Sequence, residues 1–376
     1  MPREIMMVTG EASGDLYGAL LAEELRRLRP DLRLVGVGGQ AMASAGVDIL
    51  LDSGGLSVVG IWEAIVRLGR LRRAMNRVSH EIRTRKPDLV VLIDYPGMNL
   101  RLARVAKRCG VKVMYYVSPQ VWAWGGGRVK TVRQTVDKMV VILPFEEAIY
   151  RGAGVDATYV GHPLMDVVRT ELDRGSFFRQ IDLPADRRLV ALLPGSRRQE
   201  LKQHLGPLAD AADILSRRFD GLGFVLVTLP GLEGAVREEL GKRRTRIPVV
   251  CESRYEAIAY SDVAITCSGT VTLEAALLGT PMIVVYRLAL FSWILGRMMV
   301  RVPYISLVNL VARRRVVPEL IQSEVNAQRL AEEAGRILAD DRTRRDLLEG
   351  LAQVRARLGS GGATRRAAEI AASLAG

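Results

Sequence analysis

The sequence predicts an α/β protein of two Rossmann-like halves whose parallel sheets face each other across a cleft. Three observations carry this expectation. Short apolar runs rich in β-branched residues alternate with helical stretches over the first 160 residues, the pattern of βαβ units and of a parallel sheet covered on both faces. A second alternating series starts at Leu189, after a polar connection. Finally, 376 residues are long for one core, so two domains of ordinary size are expected.

Strands of the first half are expected at 5–8, 32–37, 89–93, 111–117, 138–143 and 157–160, with helices such as 14–28 and 100–109 between them. This half should end near His162-Pro163. Residues 164–187 read as a polar, helix-prone connection. Strands then follow at 189–193, 224–228, 248–251, 264–267 and 282–285. Beyond Val325 the pattern is helical, with a break at Ser360-Gly361-Gly362 before a last helix over 364–374. The expected division is 1–163, 164–345 and C-terminal helices from 346 to 376.

A net charge of +13 and a pI near 10 imply an anionic partner: phosphate groups, acidic lipid or nucleic acid. Cys109, Cys251 and Cys267 are odd in number and scattered, and His80, His162 and His204 are the only histidines. Neither a disulfide framework nor a metal site is expected, and a reducing cytosol fits. The chain enters an apolar strand within a few residues, which is not the layout of a signal peptide. The most apolar window, 288–302, is interrupted by Arg297 and Arg301 and is shorter than the ~20 residues of a membrane span. Membrane contact is therefore expected to be peripheral.

Four loops at predicted strand ends carry polar groups suited to chemistry, two in each half. Gly10-Glu11-Ala12-Ser13-Gly14-Asp15 opens the first helix; its glycines let a ligand approach the backbone, while the plainer alternative makes Ser13 or Asp15 a helix cap. Asp94-Tyr95-Pro96-Gly97-Met98-Asn99 places Asp94 at a strand end, where it can serve as a general base or simply brace the turn before Pro96. In Leu193-Pro194-Gly195-Ser196-Arg197-Arg198-Gln199-Glu200, Gly195 and Ser196 free the backbone for an anion, and Arg197 or Arg198 can bond a diphosphate, unless they are merely solvated. Ser268-Gly269-Thr270-Val271-Thr272-Leu273-Glu274 reads as a strand end, a tight turn and a helix start, closed by Gly279 and Pro281. Such a helix start attracts anions by roughly 0.3–1 kcal/mol per charge. Glu274 lies one position beyond the capping-box spacing from Thr270, which leaves it free to face a ligand; an ordinary capped helix is the alternative.

Three other segments invite a reading. Gly36-Val37-Gly38-Gly39-Gln40-Ala41 meets the loose dinucleotide pattern, but its helix has barely two turns before Ala45-Gly46, so dinucleotide binding is not expected. Tyr116-Val117-Ser118-Pro119-Gln120-Val121-Trp122-Ala123-Trp124 offers aromatic and amide groups for a sugar or amphipathic ligand, or Trp122 packs in the core. Over 57–85, Ile61, Ile65, Leu68, Leu71, Met75, Val78 and Ile82 recur at three and four, beside Arg67, Arg70, Arg73 and Arg77. This is a basic amphipathic helix with Trp62 at its head, suited to an acidic membrane surface at about 1 kcal/mol per Arg, or to packing on the sheet.

Taken together these motifs resemble the lipid-A-disaccharide synthases, family 19 glycosyltransferases of the GT-B architecture. The resemblance spans nearly the whole chain and adds Val59-Gly60-Ile61 with Glu63, Leu143-Pro144-Phe145-Glu146, Gly161-His162 and the segment from Tyr304 to Asn309. It implies transfer of 2,3-diacylglucosamine from its UDP derivative to the 6-hydroxyl of 2,3-diacylglucosamine 1-phosphate, with inversion and no cofactor, at the cytosolic face of the inner membrane. It further implies C-terminal helices that cross back to the first domain. Asp94 is the expected base, with Glu11 in reserve; Gly10, Ser13, Asn99, Ser118 and Trp122 fall on the acceptor side. Gly195, Ser196, Arg197, Ser268, Gly269, Thr270, Glu274 and Asn309 fall on the UDP side, Glu274 toward the ribose and Asn309 by resemblance alone. Trp62, Arg67, Arg70 and Arg73 would meet membrane and acceptor phosphate. Some family members carry a second Asp where this chain has Gly97, which bears on the role of Asp94. A homodimer is open.

Two rival readings remain. A UDP-sugar 2-epimerase shares the two-Rossmann plan but needs no acceptor. A basic nucleic-acid-binding module would interleave aromatics with its basic residues, whereas this basic stripe adjoins aliphatic ones; no nucleic-acid partner is expected.

Overall fold

The computed structural model describes residues 3–53, 61–119, 127–241, 243–288 and 303–376, with the side chains of 12, 61–68 and 70 outside that description. It divides into two compact units, Met1–Asp166 with Leu358–Gly376, and Val167–Arg357.

The first unit is built on strands β1 (Glu4–Val8), β2 (Arg33–Gly38), β3 (Asp48–Asp52), β4 (Leu89–Ile93), β5 (Lys112–Tyr116), β6 (Lys138–Val141) and β7 (Ala157–Tyr159). They form one sheet in the order β3-β2-β1-β4-β5-β6-β7, parallel throughout. β4 is buried at every position and β1 and β5 at all but the first, which is why these strands are apolar without alternation. The strand order reverses between β1 and β4. Ligands of such sheets lie outside the carboxyl ends of the strands at that reversal, so residues 9–11 and 94–99 stand at the expected place.

The helix Ala12–Leu28 begins two residues earlier than expected, and the helix Pro96–Arg108 four residues earlier. Pro96 accounts for the second difference, because a proline in the first turn lacks only an N–H that would have no partner there. In the helix Ile61–Arg85, Ala74, Val78 and Ile82 are buried in the core beneath Val90 and Leu92, while Arg73 and Arg77 are exposed. Part of the apolar face expected of this helix thus packs on the sheet.

The last helix, Ala363–Ala375, belongs to this unit and packs against Ala12–Leu28. Ala363, Ala367, Ala368, Ala371 and Ala375 form its buried side, a stripe of small residues that permits close approach. Asp166 caps its start: one carboxylate oxygen accepts the Gly362 N–H at 2.5 Å, and the other accepts the N–H and hydroxyl of Thr364, both at 3.1 Å. Arg366 donates to the Val160 carbonyl at 2.9 Å. The helix before it, Asp341–Arg357, runs unbroken through residue 345 and packs in the second unit, so the return to the first unit starts at Leu358 rather than at 346.

The second unit carries β8 (Arg188–Leu193), β9 (Leu222–Val227), β10 (Val249–Val250), β11 (Val263–Cys267), β12 (Met282–Tyr286) and β13 (Glu319–Ile321). Their order is β10-β9-β8-β11-β12-β13, again parallel. Here the reversal lies between β8 and β11, and the loops that leave it are 194–197 and 268–270.

Two strands, β3 and β13, were not expected from the sequence. β3 has no buried position and β13 is three residues long, starting at Glu319.

Candidate active site

At the reversal of the first unit, Gly10 is buried against the ring of Tyr95; a Cβ built on Gly10 would lie 2.5 Å from Tyr95 Cδ1. Only glycine fits there. Asp94 and Tyr95 both have positive φ, 48° and 44°, and Val117, at the end of the neighbouring β5, has φ of 60°. Left-handed backbone in non-glycine residues costs of order 1–3 kcal/mol each, and it gathers where function over-determines the chain. What holds the Asp94 turn is visible. Tyr115 donates its hydroxyl to the Asp94 carbonyl at 2.6 Å, and Asn99 donates to the carbonyls of Ile93 and Asp94 at 3.1 and 2.8 Å. The Asp94 N–H is taken by the Tyr116 carbonyl at 3.1 Å. Asp94 itself stays half-buried at the strand end.

Asn99 is completely buried, and its amide supports this turn from below. Its amide nitrogen therefore stands behind Asp94, while its buried Oδ1 has no hydrogen-bond partner among the described residues. Ser118 is also buried, and donates to Glu146 Oε1 at 2.7 Å, while Glu146 Oε2 accepts the Leu143 N–H at 3.1 Å. Tyr150 donates to the Pro119 carbonyl at 2.8 Å. The start of the post-β5 loop is thus fastened to the helix Glu146–Gly152. Glu11 precedes the helix Ala12–Leu28 in extended backbone, and both it and Ser13 are half-buried. A Cβ built on Gly97 meets nothing within 4 Å, so a longer side chain has room there. Trp122 lies outside the described residues, as do the side chains of Trp62, Arg67 and Arg70 and the window 289–302. Arg73 is exposed.

Asp15 disposes of the dinucleotide pattern. Its carboxylate accepts the N–H groups of Gly39, Ala41 and Met42 at 2.6, 3.0 and 3.3 Å. An internal carboxylate already occupies the helix start where a pyrophosphate would sit.

In the second unit the two loops at the reversal differ. The helix Arg198–Arg218 follows Gly195, which has φ of 130°, and Glu200 folds back over that glycine. Glu200 Oε2 accepts the N–H groups of Ser196 and Arg197 at 2.8 and 3.2 Å, and Oε1 lies 3.3 Å from Arg197 Nη1. The reading that Gly195 and Ser196 leave this backbone free for an anion needs correction: Glu200 is the anion. Glu200 and Arg197 lie near enough to β11 and β12 for their fields to reach Cys267 and Tyr286, although burial is the main cause that raises both, Cys267 to about 12.

The loop after β11 is open. Ser268 spends its hydroxyl on the Ile305 carbonyl at 2.9 Å and its N–H on the Val285 carbonyl at 3.0 Å. The N–H groups of Gly269, Thr270 and Val271, at the start of the helix Val271–Leu278, carry no hydrogen bond to a described group. This is the anion-binding end of a helix. Glu274 is 6 % exposed and pairs with Arg254 at 3.2 Å, a partner on another helix that sequence spacing could not reveal. Burial raises its pKa, and Arg254 and Tyr255 partly offset this.

Asn309 is fully buried and fully spent. It donates to the Val317 carbonyl and Glu319, and accepts the N–H groups of Val316 and Val317. Glu319 in turn accepts the N–H groups of Ile305 and Ser306. The Asn309 side chain therefore has no hydrogen-bonding group left over. It braces, through Glu319, the segment on which Ser268 is anchored.

Among the described residues no helix is long and apolar enough to cross a membrane. A family model described as lipid-A-disaccharide synthetase matches residues 5–371. The chain is 43% identical over 373 residues to the lipid-A-disaccharide synthase of Geobacter sulfurreducens, covering 99% of this chain and 97% of that one. It is 44% identical over 372 residues to that of Myxococcus xanthus, covering 98% and 96%. Among solved structures it is similar in fold to a UDP-GlcNAc 2-epimerase from Neisseria meningitidis bound to UDP-GlcNAc, with a TM-score of 0.69, 11% identity and coverage of 98% and 100%. The MurG of Acinetobacter baumannii gives a TM-score of 0.58, 13% identity and coverage of 99% and 100%.

Proposed function

The chain belongs to the lipid-A-disaccharide synthase family, a UDP-sugar glycosyltransferase of GT-B fold in lipid A biosynthesis, and from that premise we propose the reaction and the residues that perform it. It joins UDP-2,3-diacylglucosamine to 2,3-diacylglucosamine 1-phosphate, giving the β-1,6 disaccharide 1-phosphate and UDP. The geometry that supports the donor side best is the helix start at the end of β11, where the three N–H groups at 269–271 carry no hydrogen bond to a described group.

Inversion in one displacement needs a base for the acceptor hydroxyl and stabilisation of the departing diphosphate. Asp94 is the base: the turn that carries it is strained, and Tyr115 and Asn99 hold it. Glu11 is the reserve. The diphosphate sits on the 269–271 amides, and Arg197 turns to it from Glu200. A preorganised donor at such a place is worth about 3–4 kcal/mol in the transition state. Glu274, held by Arg254, remains the group for the ribose.

The membrane reading rests on the basic helix. Arg73 and Arg77 are exposed beside a face whose buried residues pack on the sheet, and they suit an acidic surface from the cytosolic side. Sedimentation with acidic vesicles that survives reversal of both charges would remove this reading.

Incubating the protein with both lipid substrates and reading the products by mass spectrometry tests the reaction. Disaccharide 1-phosphate and UDP are expected. An epimerised UDP-sugar formed without acceptor would favour the rival, which shares the fold at 11% identity.

A further inference from the structure

His204 lies in the second turn of the helix Arg198–Arg218, is 2 % exposed, and belongs to none of the loops named above. Its Nε2 accepts the Arg287 N–H at 3.1 Å, and its Nδ1 is 2.8 Å from the Pro194 carbonyl oxygen. A nitrogen that accepts cannot carry the proton. The ring is therefore neutral with its proton on Nδ1, which donates to Pro194.

Pro194 directly follows β8, and Arg287 directly follows β12. These strands flank β11, so they stand two strand spacings apart, roughly 9.5 Å. An imidazole with a hydrogen bond at each end bridges most of that gap. β11 links its two neighbours through Leu193, opposite Thr266, and Val285, opposite Cys267. At Ser268 the chain leaves the sheet for the open helix start, and the ladder ends. His204 takes over the link one step further out. Glu200, four residues before it on the same helix face, holds the N–H groups of Ser196 and Arg197. One helical turn thus grips the whole loop.

We propose that His204 is a positioning residue of the donor site, a strut that fixes the loop after β8 against the loop after β12 and so sets the width of the diphosphate seat whose floor is Ser268-Gly269-Thr270. This rests on the reading of that seat as the place of the UDP diphosphate. Two charged groups reach the ring: Glu200 on its own helix, which favours protonation, and Arg287 on the facing loop, which opposes it. Burial is the largest influence and lowers its pKa from 6.5. The strut therefore stands at neutral pH. Protonation sets an N–H against the Arg287 N–H and breaks it.

Calorimetric titration of UDP into the full chain, in native, His204→Leu and His204→Gln forms, tests this. A Gln amide sets a donor and an acceptor about as far apart as the two ring nitrogens. The Leu variant should bind UDP about tenfold more weakly, the worth of one or two hydrogen bonds; Gln should recover most of the loss, and the loss should fall on the donor KM rather than on kcat. Leu binding within twofold of native, or Gln as weak as Leu, overturns the proposal. If the Leu variant does not fold, the pH profile decides. The native donor KM should rise on the acid side of 6.5 and that of the Gln variant should not; superimposable profiles overturn the strut. Native protein that binds no UDP overturns instead the donor-site reading itself.

Discussion

Arg254 holds Glu274 at 3.2 Å in a place where Glu274 is 6 % exposed. The pair does not fully offset burial, and the Glu274 pKa lies above its ordinary 4.5. A carboxyl raised by folding contributes stability that is complete below about 4.5 and is lost as pH rises through the folded value. Glu274→Gln has no such titration. Its stability relative to the native protein should increase with pH across this window, measured by urea unfolding from pH 4.5 upward. A difference that stays constant with pH would show that Glu274 titrates normally.

Glu200 competes with any anion for the Ser196 and Arg197 amides. Glu200→Gln removes one negative charge from the loop and should tighten UDP binding about two- to five-fold, while weakening the helix start by about 1 kcal/mol. Calorimetry and thermal unfolding read the two effects separately. Weaker UDP binding in this variant would mean that Glu200 builds the seat and does not occupy it.

Asp94→Asn keeps the shape of the turn, since Tyr115 and Asn99 hold its backbone carbonyl. Disaccharide formation should fall about 10²- to 10⁴-fold, the usual worth of a general base, with UDP affinity intact. Turnover within tenfold of native would move the role to Glu11.

Asp166→Ala removes three hydrogen bonds at the start of the last helix. The first unit should lose about 1–2 kcal/mol, and amide exchange over 363–375 should quicken accordingly. Exchange there at the native rate would mean that the buried alanine stripe alone seats the helix.

Much of the fold was legible because buried parallel strands are nearly uniform apolar runs: β4 is Leu-Val-Val-Leu-Ile and coincides with the strand expected at 89–93. β3 and β13 escaped because β3 lies at a sheet edge with no buried position and β13 is only three residues long. The loops of the candidate site were legible too, since a strand end followed by glycine and a helix start has a local signature. Side-chain destinations were not. The spacing left Glu274 free, but Arg254 reaches it from another helix; Asn309 stood in a motif and is spent on its own chain. Glu200 stood inside the Leu193–Glu200 loop, at the capping-box spacing from Arg197. Nothing local marks His204 or Asp166, whose partners are set by the sheet order and by a return of the chain.

That return has a consequence for synthesis. Asp166 meets Gly362 and Thr364 at sequence separations of 196 and 198, and most of the chain between them is the second unit. The second unit is complete in sequence at Arg357, while the first, although most of it is made earlier, still lacks the helix that covers Ala12–Leu28. The nascent first unit therefore waits with an apolar helix face uncovered. A released chain truncated after Arg357 should accordingly show a protease-resistant second unit and a first unit still open to cleavage.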